Sequence, residues 1–304
     1  MPATNLVIHI GGMRTGSTFL QSIFAGHSQI NLNLKSRYFS YDPYFYQKYN
    51  YIRWLSGSQN IINIDSDENY SLGRFKSLLL DRKTVAIKSE LEIISHDLVM
   101  MADRLKTTYP NAKILMVIRE QTKWIQSVYK HDIQHFGLDI KFDKFLESEL
   151  GKSYINAADY FQTYNIYANL FGKDNVKLFL FEDLQENPQQ FLDELFKFIG
   201  VNNESRIDLR RENQNLNNAT LYLLRFLNRF SQKSLNKSEY KFFIYLRKVL
   251  FLNNKFLSLF PDNESLLFDQ KSLNFIKNQH QQSNLNLESL GFSESILRKY
   301  KYIV

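Results

Sequence analysis

Eight residues near the start of the chain carry the clearest chemical signal: Gly11-Gly12-Met13-Arg14-Thr15-Gly16-Ser17-Thr18. They follow an apolar, strand-like run and open a helix-like one. In that setting backbone N–H groups converge and the helix N-terminus adds positive potential, so the segment reads as an anion site. The spacing is close to the nucleotide loop G-x4-G-K-[ST], with Gly11, Gly16 and Thr18 in register. Ser17 stands where that loop has its lysine, the group that reaches the β- and γ-phosphates of a triphosphate. Its absence argues against a kinase or NTPase. Arg14 offers a cation at a different point. An ordinary glycine-bearing turn is the bland alternative, and the run Arg-Thr-Gly-Ser-Thr favours the anion site.

Three further constellations have chemistry in their spacing. Arg119 ends the apolar run Lys113–Ile118, and Ser127 follows eight residues later in a helix-like stretch. Arginine gives a permanently charged, bidentate fork for phosphate, and two helical turns bring the serine hydroxyl to the same side. The bland reading is a strand-end salt bridge and a serine on a helix face. The run Ile87-Lys88-Ser89-Glu90 ends another strand-like segment. Lys88 and Glu90 are either a cation with a general base or a surface pair worth little. His131 and His135, four residues apart, share a helix face and have zinc-ligand spacing. No third ligand is apparent, and His135 stays open as an alternative base. Glu182 and Asp183 imitate a magnesium-binding strand end but read as structural acids capping the next segment.

The elements that must hold these residues are legible as an alternation. Four β-rich apolar runs, Leu6–Ile10, Thr84–Ile87, Lys113–Ile118 and Val176–Phe181, are followed by helical patterns near Ser17–Ala25, Ile94–Tyr109, Lys123–His135 and Pro188–Ile199. A further helix, about Ala157–Phe171, precedes the last strand. Continuous apolar strands alternating with helices predict a parallel sheet covered on both faces, an α/β three-layer sandwich. Ligands in such folds bind beyond the carboxyl ends of the strands.

Taken together, the motifs resemble those of the PAPS-dependent sulfotransferase family of bacterial type, where PAPS is 3′-phosphoadenosine-5′-phosphosulfate. Arg14, Thr15, Gly16, Ser17 and Thr18, with Gly12, match the family's 5′-phosphosulfate loop. Arg119 and Ser127 match its 3′-phosphate pair. Lys88 and Glu90 match the strand end that carries its general base, with Glu90 where cytosolic members have histidine. Arg211, in Arg210-Arg211-Glu212-Asn213, lies where the family has a basic loop closing on the 3′-phosphate. The resemblance covers most of Leu6 to Asn217 and implies a P-loop-like sulfotransferase fold with added helices. It also implies a reaction. The sulfuryl group of PAPS moves to a hydroxyl or amine of a small-molecule or carbohydrate acceptor, and adenosine-3′,5′-bisphosphate is released. Glu90, Lys88 and Arg14 would be catalytic. The transferred group and leaving phosphate carry less charge than a triphosphate, so no metal is expected.

Bulk properties bound the rest. The 304 residues are 44% hydrophobic and 15% aromatic, so the chain folds, and they include no cysteine, which excludes disulfides and a Cys nucleophile. No run of 18 apolar residues is present, so no transmembrane segment is expected. A cytoplasmic protein is the default. The net charge of +7 is compatible with an anionic partner, but by itself it reads first as a solvated basic surface, and no nucleic-acid signature accompanies it. One domain, residues 1–304, is expected. An aromatic insertion at 31–82 and a basic helical segment at 220–260 would form acceptor-site or lid elements. Two other classes compete: a P-loop nucleotide-dependent kinase, and a non-catalytic protein that binds nucleotide or polyanion.

Overall fold

The computed structural model describes residues 6–10, 13–33, 62–66, 97–202, 216–233, 245, 246, 249 and 262–303. The expected strand Thr84–Ile87, the aromatic run Tyr38–Trp54 and most of the segment from 234 to 261 lie outside these residues. By their contacts the residues form two compact units, the first from 1–120, 156–209 and 281–304, the second from 121–155 and 210–280.

Among the described residues the first unit has five parallel strands: β1 (Leu6–His9), β2 (Ile30–Asn33), β3 (Ile62–Ser66), β4 (Lys113–Ile118) and β5 (Val176–Leu180), in the order β2-β3-β1-β4-β5. Burial explains the apolar runs. All of β1, five of six residues of β4 and four of five of β5 are buried, as a sheet covered on both faces requires. Alternate side chains go to opposite faces. Val7, Leu115, Val117 and Phe179 pack with Leu20 and Phe24 of helix α1 (Ser17–Gly26). The same cluster takes in Phe191, Leu192, Leu195, Phe196 and Ile199 of a later helix (Pro188–Ile199). Ile114, Met116, Ile118, Leu178 and Leu180 supply the other face. There α2 (Asp97–Thr108) buries Met101 and Leu105, and a helix at Tyr160–Phe171 buries Tyr167 and Phe171. This is the three-layer α/β fold that the alternation predicts.

Several boundaries differ from the sequence reading, for local reasons. The expected helix at Ala157–Phe171 starts three residues later, at Tyr160, and Ala157 is the last residue of the helix before it. Asp159 accepts from the Gln162 N–H and caps Tyr160–Phe171, so the chain restarts there. The stretch 31–82, read as an insertion, contributes most of β2 and all of β3; their Ile-Asn alternation hides them from a search for continuous apolar runs. The Asn- and Gln-rich tail holds a helix at Gln270–Leu285.

The second unit opens with α3 (Gln121–His131), which runs into a π-helical turn, Asp132–Phe136, closed by Gly137 at φ 75°. The expected single helix Lys123–His135 is therefore interrupted. A π turn leaves carbonyl groups out of the regular ladder. Asn228 supplies the missing donors, its Nδ2 lying 2.9 Å from both the Ile133 and the Leu138 carbonyls. α4 (Phe142–Glu147) and α5 (Glu149–Ala157) follow. The core of this unit is aromatic: Tyr129 stands 5.0 Å from Phe142, 5.1 Å from Phe145 and 5.9 Å from Phe268. Trp124 meets Tyr154 edge-on at 5.9 Å.

Among the described residues the further α-helices, in chain order, are α6 (Tyr160–Phe171), α7 (Phe181–Glu186), α8 (Pro188–Ile199), α9 (Asn218–Lys233), α10 (Gln270–Leu285) and α11 (Glu294–Lys299).

Candidate active site

The loop between β1 and α1 takes a conformation that only some residues tolerate. Arg14 has φ 67° and Gly16 has φ 86°, both left-handed. Glycine adopts that region without penalty, whereas arginine pays for it with backbone strain. Gly16 is also fixed by space. A Cβ there would lie 3.0 Å from Leu184 Cδ2 and from Phe181 Cε2. Gly16 is the N-cap of α1, so no side chain caps the helix at that position, and no acid occupies its first turn. The first-turn N–H groups are thus a ready place for an anion. Thr15 and Ser17 are buried beside it, while Thr18 is exposed.

Arg119 reaches the same loop from the carboxyl end of β4, which neighbours β1 in the sheet. Its Nη1 donates to the Arg14 carbonyl at 3.3 Å. Its guanidinium lies 5.1 Å from the centroid of the Phe181 ring. Arg119 Nε is buried with no hydrogen-bond partner among the described residues. Burial lowers the guanidinium from its ordinary value; Glu182 opposes this and the nearby Arg14 cation adds to it. Two arginines and a helix N-terminus therefore converge, an arrangement that an anion stabilises.

The support beneath Arg119 comes from a motif with a different expected role. Glu182 and Asp183 turn toward the C-terminal segment. Glu182 Oε1 accepts the Glu120 N–H at 3.0 Å, and Oε2 accepts from the Tyr302 hydroxyl at 3.1 Å. Asp183 accepts from the Tyr300 hydroxyl at 2.8 Å. Tyr160 donates to the Arg119 carbonyl at 2.7 Å, so the peptide between Arg119 and Glu120 is held at both its carbonyl and its N–H. Burial raises the Glu182 carboxyl above its usual range, against the hydrogen bonds from Glu120 and Tyr302. Phe181 touches the Gly16 position and Arg119 together. Phe181 and Glu182 are thus positioning residues that the sequence reading took only for a strand end and helix cap.

The other sequence candidates fall elsewhere. Ser127 is buried in α3 of the second unit. His131 and His135 belong to the same unit, with ring centroids 4.6 Å apart and His131 Nδ1 3.5 Å from Asp132 Oδ1. Among the described residues no group of three or more His, Cys, Asp or Glu could hold a metal. Gly12, Lys88, Glu90 and Arg211 lie outside the described residues.

His9, at the end of β1, gives the region a pH signature. It is 1% exposed and stands edge-on to Phe24, with centroids 6.4 Å apart. Burial lowers its pKa from 6.5 to about 4. The unfolded chain therefore binds a proton between these values that the folded chain refuses, so stability is lost as pH falls through that window. The full loss is about 3 kcal/mol. Glu182 has the opposite sign, since its raised carboxyl favours the fold as it gains a proton. Denaturant unfolding at neutral pH and near pH 4 should show His9→Gln losing about 3 kcal/mol less than the wild type. Equal losses would show that His9 does not report the burial described here.

The sulfotransferase domain family model matches residues 5–243 of the chain. Among solved structures, a sulfotransferase from Alicyclobacillus acidocaldarius is 18% identical, covering 74% of this chain and 92% of its own, with a TM-score of 0.51. The sulfotransferase domain from the curacin biosynthetic pathway is 16% identical over 67% of this chain and 76% of its own, with a TM-score of 0.43. Mouse sulfotransferase SULT7A1 complexed with PAP is 10% identical over 97% of this chain and 86% of its own, with a TM-score of 0.37. No curated protein matches the chain.

Proposed function

Because the chain belongs to the sulfotransferase domain family, and so to enzymes of sulfuryl transfer, we propose that it takes its sulfuryl group from PAPS and passes it to a hydroxyl or amine of a small-molecule or carbohydrate acceptor. The observation that carries this reading is the convergence of Arg14, Arg119 and the N-terminus of α1 at the carboxyl ends of two adjacent strands. A phosphate there neutralises two cations that otherwise repel. Both units are read as one domain, residues 1–304. We place the reaction in the cytoplasm.

When bound, PAPS supplies a sulfur–oxygen bond to its 5′-phosphate that breaks as the acceptor atom bonds to sulfur, the electron pair leaving with the phosphate. Glu90 takes the acceptor proton. Arg14 and Lys88, with N–H groups of the loop, meet the charge that grows on the bridging oxygen. Thr15, Gly16, Ser17, Thr18 and Gly12 form the 5′-side cradle. Arg119, Ser127 and Arg211 take the 3′-phosphate.

Calorimetric titration tests the reading. Adenosine-3′,5′-bisphosphate is expected to bind at micromolar or lower concentration without magnesium, and ATP with magnesium to bind poorly. The reverse order would point to a kinase, and indifference to both would remove the enzyme reading. Arg119→Ala refines the test. Loss of a charge-assisted bidentate contact should cost about 2–4 kcal/mol of PAPS affinity. Adenosine-5′-phosphosulfate lacks the 3′-phosphate, so its affinity should fall only through the broken bond to the Arg14 carbonyl. Equal losses for the two ligands would refute the 3′-phosphate role.

A further inference from the structure

Three consecutive residues late in the chain reach back to the end of β4. Tyr300 and Tyr302 are buried, and Lys301 between them is exposed. Lys301 has φ 69°, a left-handed backbone that a residue with a Cβ adopts only at a cost. The two tyrosine hydroxyls go to consecutive acids at the start of α7. Tyr302 donates to Glu182 at 3.1 Å, and Tyr300 donates to Asp183 at 2.8 Å, with its oxygen also 3.1 Å from Glu186 Oε2. Tyr302 is fixed from other sides as well. Its N–H donates to the Leu297 carbonyl at 2.9 Å, and its carbonyl accepts from Asn284 Nδ2 at 2.7 Å.

The Tyr302 tie continues to Arg119, and the Tyr300 tie does not. The second oxygen of Glu182 accepts the Glu120 N–H, which belongs to the peptide that leaves Arg119. The carbonyl of that same peptide accepts from Tyr160. The plane of this peptide sets ψ of Arg119. A guanidinium ends a long side chain, so a small rotation at its Cα becomes a larger displacement at the charged end.

Packing alone does not call for these hydroxyls. Phenylalanine would fill both spaces, and burying a carboxylate costs desolvation that hydrogen bonds must offset. Burial raises the Glu182 carboxyl, and the Tyr302 hydrogen bond is among those that favour its charged form. Glu182 in turn opposes the effect of burial on the Arg119 guanidinium. Burial holds the Tyr160 and Tyr302 phenols well above their ordinary pKa, so both stay donors.

We propose that Tyr302, acting through Glu182, and Tyr160 are positioning residues that aim Arg119 at the anion loop. Tyr302 lies beyond the residues 5–243 that match the family, so the site depends on a segment outside that match. The proposal rests on the reading of Arg119 as an anion contact.

Titration of the full chain with adenosine-3′,5′-bisphosphate, and with inorganic pyrophosphate as a simpler anion, tests it. Tyr302→Phe keeps the ring and removes the hydroxyl. Its Kd for the bisphosphate is expected to rise about tenfold, the effect of one hydrogen bond to a charged group. A merely structural tyrosine would lower the melting temperature and leave Kd alone. A double-mutant cycle shows the route: in an Arg119→Ala background, Tyr302→Phe should change Kd by less than about twofold. Tyr300→Phe cuts the neighbouring tie and spares Glu182, so it should lower the melting temperature without weakening binding. If Tyr302→Phe does not fold, Tyr160→Phe frees the other end of the same peptide and carries the same expectations.

An unchanged Kd in Tyr302→Phe overturns the proposal. So does a full loss in the Arg119→Ala background, because the hydroxyl then acts by another route. An equal loss from Tyr300→Phe would make the segment a general clamp on α7 and likewise overturn it. The nucleotide reading fails separately. A wild type that binds pyrophosphate but not the bisphosphate removes that reading, while the same variants and cycle, read with pyrophosphate, still decide this one. Binding of neither anion takes Arg119 out of any anion site and overturns both.

Discussion

Glu90→Gln is expected to lower kcat by about 10²- to 10⁴-fold, the usual contribution of a positioned general base, while adenosine-3′,5′-bisphosphate binds as before. The chemistry requires some base: an alcohol does not give up its proton unaided near neutral pH, and the sequence run Ile87-Lys88-Ser89-Glu90 has a carboxylate at the position that matches the base of the family it resembles. Glutamine keeps the shape and loses the proton acceptor. The dependence of kcat/KM on pH should also lose the limb that rises from acid, because that limb reports deprotonation of the base in the free enzyme. His135→Ala is the matched control. If Glu90→Gln turns over normally while His135→Ala fails with intact nucleotide binding, the base is His135. An amine acceptor, already nucleophilic, would blunt both effects, so the comparison belongs with the natural acceptor.

Removing the Arg14 cation is expected to lower kcat by roughly a hundredfold or more, as for a lost donor to developing charge. The left-handed backbone of Arg14, at φ 67°, makes two variants necessary. Arg14→Ala removes the charge and keeps the backbone strain of a residue with a Cβ. Arg14→Gly removes the charge and relieves that strain. Both should lose turnover alike if the guanidinium acts on the transition state. A glycine variant that keeps kcat would mean that arginine serves the shape of the loop. A raised KM with normal kcat in both would confine Arg14 to binding.

Much of the first unit was legible because burial on both sides of a sheet writes itself as continuous apolar runs. β1, β4 and β5 were visible for that reason, and Pro188–Ile199 by its apolar period and its Pro at the start. β2 and β3 were not, since Ile30–Asn33 and Ile62–Ser66 alternate isoleucine or leucine with polar residues. The π turn after α3 was invisible as well. Its sequence, Asp132 to Phe136, continues a helical pattern, and what stabilises it is Asn228, far away in the chain.

The sequence alone determined the α/β class, the loop before α1 with Ser17 in place of a lysine, and the family, because each is written in neighbouring residues whose spacing is read directly. Only tertiary structure decided that Arg119 touches the Arg14 carbonyl and that Phe181 and Glu182 carry the loop and the end of β4. The same is true of which side of α9 faces water. Helical period marks both sides of that helix as apolar and cannot say which one the core takes. Glu182 beside Asp183 reads as a helix cap until Glu120 and Tyr302, from distant segments, present their donors. Local pattern encodes what a residue can do with its chain neighbours, and the partner of a buried charge is chosen by packing that closes over long separations.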